Sequence, residues 1–104
     1  MEGVELVAFQ IIAAVGTARS LYIEAIDLAR EGKFDEAREK IAEGEATFVE
    51  GHKAHMGMIT EEAQGNQTDV KLILLHAEDQ LMSAEAFGIL AGKFVDLYET
   101  LLNK

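Results

Sequence analysis

The residues of this sequence best suited to chemistry lie close together in the segment LLHAEDQLM, residues 74–82. His76, Asp79 and Gln80 follow one another at spacings that place their side chains on one side of a helix. A neutral imidazole in such a place can act as a nucleophile near pH 7, with neighbouring donors orienting it. A histidine that is half-buried at a contact between helices would have the same spacing, so the pattern alone leaves both interpretations open.

Asp79 lies in the middle of an apolar stripe. The other members of the stripe, at helical spacing, are Leu72, Leu75, Met82, Ala86 and Ile89. A carboxylate there is costly unless it is paired, protonated or bound to metal. If three copies of the helix met around a threefold axis, three carboxylates would converge, and they would either gain protons or recruit a divalent cation, with Mg²⁺ fitting best. Alternatively, Asp79 lies in solvent at the edge of the stripe.

Other kinds of site are poorly supported. His52 and His55 stand three residues apart and could form a metal pair, but without a third ligand a solvated or packing role is the simpler interpretation. The sequence contains no GxSxG, GxxxxGK[ST], HExxH or CxxC motif. Hydrolase, nucleotide-binding and thiol chemistry therefore have no visible residues to perform them.

Composition excludes several classes of protein. With 49% hydrophobic and 27% charged residues, the 104-residue chain is expected to fold as a single globular domain, residues 1–104. It has no cysteine, and its net charge of −10 repels nucleic acid and anionic lipid. No uninterrupted apolar run reaches the roughly 18 residues of a membrane span, and no leader-like segment is seen. We therefore expect a cytoplasmic protein without membrane insertion.

The elements that must position these residues are three long helices. Breaks are predicted at Glu31-Gly32-Lys33 and Gly65-Asn66-Gln67, which gives helices over about 2–30, 34–64 and 69–102, with Thr68 or Asp69 as the N-cap of the third. Short connections make neighbouring helices antiparallel. The predicted fold class is all-α, an antiparallel three-helix up-down-up bundle.

The third helix has more apolar surface than such a bundle can bury. Its first stripe consists of Val70, Leu74, Ala77, Leu81, Ala84, Ala91, Val95, Tyr98 and Leu102, and is predicted to pack on the other two helices. The stripe that contains Asp79 lies on a different face. The first helix is apolar nearly all round, which is typical of a helix covered on more than one side. The apolar surface that one bundle cannot bury predicts self-association into a closed ring whose axis runs beside the third helix.

The sequence also resembles a known family. The matching segments are GTARS at residues 16–20, Glu24-Ala25, AREGKF at residues 29–34, and above all LLHAEDQLM at residues 74–82. On these motifs the chain is similar to the IIA component of the lactose/cellobiose class of the sugar phosphotransferase system, over almost its whole length. The HAxDxLM core is the most specific of them.

The resemblance implies a homotrimer of three-helix protomers, a phosphotransferase component that carries phosphohistidine and is not a stand-alone enzyme. His76 would accept a phosphoryl group from the histidine-containing phosphocarrier protein and pass it to a cysteine of the IIB component. Asp79 would lie at the trimer axis and hold a divalent metal. Many members have a second histidine where this chain has Gln80, whose amide can still donate a hydrogen bond to phosphate.

The chain departs from the family after Met82, where members usually have a polar stretch. Here residues 83–94 are mostly small or apolar and include Gly88 and Gly92, each of which costs a helix about 1 kcal/mol. Natural divergence is one interpretation of this departure, and the alternative is that a trimeric IIA scaffold was engineered to dock a second designed chain. Its added apolar interface would lie near Met58, Phe87 and Ile89.

Overall fold

Three helices make up the fold of the computed structural model, which describes residues 3–104. The helices are α1 (Gly3–Arg30), α2 (Phe34–Ala63) and α3 (Leu72–Leu102), and there is no strand within that range. The predicted all-α, up-down-up three-helix bundle is confirmed. The predicted start of the first helix at Glu2 lies outside the described residues.

The two predicted breaks lie where glycine permits a left-handed backbone. Gly32 has φ +85° and Gly65 has φ +93°, values that side chains with a Cβ rarely adopt. Each glycine follows the last turn of a helix and reverses the chain. These two residues therefore explain why α1, α2 and α3 pack as antiparallel neighbours in sequence order.

The start of α3 differs from the prediction. The helix begins at Leu72 and not at Asp69, and Lys71 precedes it in an extended conformation without a side-chain cap. The Nζ of Lys71 instead donates a 2.7 Å hydrogen bond to the Glu5 carboxylate on α1. Val70, which precedes the helix, is 64% exposed and not part of the core.

The core lies where α1 meets the other two helices. The predicted first stripe of α3 is largely confirmed, with buried side chains at Leu74, Ala77, Leu81, Ala84, Ala91 and Val95. Tyr98 is only partly buried and Leu102 is exposed, because the end of α3 has less of the bundle beside it. Ile11 and Val15 of α1 are fully buried against the middle of this stripe.

Helix α1 is long and apolar enough to cross a membrane, judged by length and composition alone. The expectation from the sequence concerned uninterrupted apolar runs, and α1 is interrupted by polar residues such as Glu5, Arg19 and Glu24. Within the bundle, α1 packs against both α2 and α3 and has seven buried side chains. This position accounts for the buried part of its apolar surface, whereas Leu6, Phe9 and Ile23 are exposed.

Tyr22 explains one of the two costly glycines of α3. The phenol ring is 3% exposed and lies between Gly44 of α2 and Gly88 of α3. A Cβ at Gly88 would lie 2.9 Å from Cε2 and Cζ of the ring, closer than packed atoms allow. Gly88 therefore permits close approach of α1 and α3, whereas nothing lies within 4 Å of a Cβ placed at Gly92.

Candidate functional site

The outward face of α3 carries His76 and Asp79. Both side chains are exposed, and neither takes part in an ion pair or a side-chain hydrogen bond within residues 3–104. His76 lies in the second turn of the helix. An imidazole in this position is accessible to another macromolecule, and the half-buried alternative is excluded for the single chain.

Large apolar side chains surround Asp79 on this face. Leu72, Leu75 and Met82 are 83%, 52% and 62% exposed. The exposed face continues along the helix through Ile89, Leu90, Phe94, Leu97 and Leu101. The second stripe predicted from the sequence is therefore an unburied surface of the single chain, with the Asp79 carboxylate in its middle.

The three consecutive polar residues Glu78, Asp79 and Gln80 face three directions, as expected for steps of about 100° around a helix. The Oε2 of Glu78 lies 2.7 Å from Nε2 of His55 on α2. Gln80 is half-buried on the opposite side, where its Oε1 accepts a 2.9 Å hydrogen bond from Nη1 of Arg19 on α1. Asp79 alone points away from the bundle. Positions 78 and 80 therefore connect α3 to its two neighbouring helices.

The two histidines of α2 have separate partners. His55 pairs with Glu78, while the ring of His52 stacks on Phe48 with centroids 6.2 Å apart. No cluster of three or more potential metal ligands occurs in the described part of one chain. These residues therefore have packing and pairing roles, and a metal site at Asp79 would require carboxylates from several copies of the chain.

The apolar interface proposed near Met58, Phe87 and Ile89 is not one surface. Phe87 and Ile89 are two residues apart on α3, so their side chains point in directions about 160° apart. Met58 is half-buried and packs against the core cluster of Ile11. Tyr22 explains Gly88, so this glycine no longer favours an engineered docking surface, whereas Gly92 has no such contact.

Arg19 was missed by the sequence analysis as a functional candidate, although it lies within the GTARS motif. A signal was present, because Arg19 is the one cation in α1 apart from Arg30 in its last turn. A cation inside an apolar helix needs a polar partner on a neighbouring element. The identity of that partner, Gln80, depends on the packing of α1 against α3.

Comparison with known proteins identifies the family. Residues 6–99 match the model of the family described as "PTS system, Lactose/Cellobiose specific IIA subunit". An oligo-beta-mannoside-specific EIIA component of Bacillus subtilis is 40% identical and covers 92% of this chain and 87% of its own length. The prediction of a single domain over residues 1–104 stays a prediction.

Solved structures of similar proteins agree with this family assignment. The cellobiose-specific enzyme IIA of Bacillus anthracis is 38% identical, with a TM-score of 0.97 over 100% of this chain and 95% of its own. Solution structures of the IIA(chitobiose)–HPr complex from the N,N'-diacetylchitobiose branch of the Escherichia coli phosphotransferase system are 28% identical over 97% of this chain and 98% of theirs, with TM-scores of 0.85 and 0.75. The chain belongs to the lactose/cellobiose-specific IIA family of the sugar phosphotransferase system.

Proposed function

We propose that this protein is a cytoplasmic phosphocarrier for the uptake of a lactose/cellobiose-type sugar. His76 accepts a phosphoryl group from HPr, the histidine-containing phosphocarrier protein, and passes it to a cysteine of the IIB component. The observation that carries the proposal is the exposed imidazole of His76 on the outward face of α3, within the family motif. The complex of a similar IIA chain with HPr supports the choice of donor.

The proposed reaction moves one phosphoryl group without a net redox change. The lone pair of a neutral His76 nitrogen forms a bond to phosphorus while the N–P bond of the donor histidine breaks, and its electron pair returns to the donor ring. In the second step a cysteine thiolate of IIB forms the S–P bond, and the N–P electron pair returns to His76. Such transfers need in-line positioning and hydrogen-bond donors to the phosphoryl oxygens more than acid or base catalysis.

The position of His76 suits the carrier role. The imidazole is exposed in the second turn of α3, where an incoming phosphoryl donor can reach it. Gln80 follows one turn later and could supply an N–H donor to a phosphoryl oxygen. The carrier therefore requires His76 as the nucleophile and Gln80 as a supporting donor.

A homotrimer is the assembly we propose. The apolar face of α3 is exposed along most of the helix, from Leu72 to Leu101, and closed rotational symmetry would bury the same face on every copy. A trimer would have a mass of about 34 kDa, three times the 11.4 kDa of one chain. A threefold axis beside α3 would bring three Asp79 carboxylates together.

The three Asp79 side chains would then hold a divalent cation, with Mg²⁺ fitting best. Carboxylate oxygens are the ligands that this ion prefers, and Asp79 has no other partner within residues 3–104. The ion would supply positive charge at the axis and would take no part in phosphoryl transfer. We expect Asp79→Leu to retain or strengthen trimerisation by removing carboxylate repulsion, as measured by sedimentation with and without Mg²⁺. Monomers in that variant would refute the proposed axis.

The phosphocarrier function is tested directly with phosphorylated HPr. The wild-type chain should accept one phosphoryl group on His76, detected by mass and by acid lability, and His76→Ala should accept none. His52→Ala, which removes a histidine stacked on Phe48 away from α3, is the matched control and should be labelled like the wild type. Equal labelling of His76→Ala would end the assignment.

A further inference from the structure

The hydrogen bond between Arg19 and Gln80 fixes the orientation of an amide beside the nucleophile. The Nη1 of Arg19 lies 2.9 Å from Oε1 of Gln80. A guanidinium has only donors, so the atom of the Gln80 amide that faces it must be the oxygen. The amide N–H₂ group is therefore directed away from Arg19, whereas an unpaired glutamine could turn either end toward His76.

The side chain of Arg19 extends toward the end of the bundle that carries His76. Helices α1 and α3 run parallel with an offset of 66 residues, as the contacts of Lys71 with Glu5 and Gly88 with Tyr22 show. Gln80 lies five residues before the α3 position level with Arg19, about 7.5 Å along the axis at 1.5 Å per residue. The guanidinium is thus brought to the turn of α3 that follows His76.

The charge of Arg19 is not neutralised by a carboxylate. No Asp or Glu oxygen lies within 4.0 Å of its guanidinium in the described range, whereas the guanidinium of Arg38 contacts both Asp96 and Glu99. The side chain is half-buried, which limits screening by water. A cation that binds the amide oxygen polarises the amide and makes its N–H a stronger donor.

We infer that Arg19 is a positioning residue for phosphoryl transfer, holding the Gln80 amide so that its N–H₂ group donates to an oxygen of the phosphoryl group on His76. This inference rests on the proposed phosphocarrier function. As the N–P bond to His76 forms and the N–P bond of the donor breaks, the Gln80 N–H donates a hydrogen bond to a phosphoryl oxygen and keeps its proton. Arg19 acts through Gln80 and does not itself contact the phosphoryl group.

A double-mutant cycle tests this arrangement. The rate constant for transfer from phosphorylated HPr to His76 is measured for the wild type, Arg19→Ala, Gln80→Ala and the double variant. Loss of a hydrogen bond to a charged group should slow transfer by about tenfold or more. If Arg19 acts through Gln80, the double variant should be no slower than Gln80→Ala alone. Arg30→Ala, which removes the same charge from the exposed end of α1, should transfer at the wild-type rate.

Two further measurements separate positioning from folding. Gln80→Glu keeps an acceptor for Arg19 but has no N–H to donate, so it should keep the fold and still slow transfer by about tenfold or more. The ³¹P resonance of phosphorylated His76 should shift in Arg19→Ala and Gln80→Ala, and stay in place in Arg30→Ala. A purely structural role of Arg19 would lower the melting temperature without this pattern.

The outcomes distinguish the two proposals. If the wild type accepts no phosphoryl group, or accepts it at a residue other than His76, the phosphocarrier function itself fails. If His76 is phosphorylated but Gln80→Glu transfers at the wild-type rate, only the inference about Arg19 and Gln80 is overturned. Effects of Arg19→Ala and Gln80→Ala that multiply in the double variant would also overturn it, because Arg19 would then act independently of Gln80.

Discussion

The packing of Tyr22 between two glycines predicts opposite effects for two identical substitutions in α2. A Cβ at Gly44 would lie 2.5 Å from Cε1 of the Tyr22 ring and 2.9 Å from Cδ1, whereas carbon atoms in contact are separated by about 3.5–4.0 Å. The other edge of the ring faces Gly88 of α3, so the ring cannot move away from α2 without displacing α3. Gly44→Ala therefore overpacks the centre of the bundle.

The magnitude follows from two opposing contributions. Overpacking costs about 1–3 kcal/mol, while replacing glycine by alanine inside a helix returns about 1 kcal/mol. Gly57→Ala is the matched control in the same helix, because nothing lies within 4 Å of its new Cβ and only the gain applies. The helix contribution cancels between the two variants, and the free energies of unfolding should differ by the packing cost of about 1–3 kcal/mol.

Thermal and denaturant unfolding measure this difference. Gly57→Ala should melt above the wild type, and Gly44→Ala should melt at least about 4 °C below Gly57→Ala at equal protein concentration. In a Tyr22→Leu background, which removes the ring, the two alanines should have similar effects. Equal stabilisation by both substitutions with Tyr22 intact would refute the packing argument.

Two pH-dependent predictions concern ion pairs between helices. Arg38 donates a hydrogen bond to Glu99 and lowers the pKa of that carboxyl. The pair therefore stabilises the fold above about pH 4.5, and this contribution disappears as pH falls through the folded pKa. In Arg38→Ala the pKa of Glu99, followed by NMR, should rise, and an unchanged value would contradict the pairing. The hydrogen bond to Glu5 raises the pKa of Lys71 above 10.5, so this contribution is present below pH 10.5 and is lost as pH rises through the folded pKa. Glu5→Gln should lower that pKa, and should leave the Glu99 pKa unaltered as an internal control.

Local patterns predicted the three helices well, and they identified the segment that carries His76. Gly32 and Gly65 adopt a left-handed backbone just after a helix ends, a conformation that favours glycine. The two breaks could therefore be identified without coordinates. The spacing of His76 and Gln80 fixed their common side of α3. The predicted start of α3 was wrong: the helix begins at Leu72, and Lys71 before it is extended and contacts Glu5, 66 residues away in the sequence.

Side-chain partners depended on packing between helices. Spacing along α3 shows that Glu78, Asp79 and Gln80 must diverge, but not which of them faces α1, α2 or solvent. That choice follows from the rotation of α3 in the bundle, which the close contact of Gly88 with Tyr22 and the burial of Leu81 determine.

The sequence by itself therefore determined the three helices, their order and the polar segment that carries His76, because helical periodicity and glycine turns are local properties. Only the tertiary structure shows that Arg19 contacts Gln80, that His55 contacts Glu78, and that Asp79 lies on the exposed apolar face of α3. These pairings join residues on different helices, and the rotation and offset of packed helices arise from side-chain fit along their whole length.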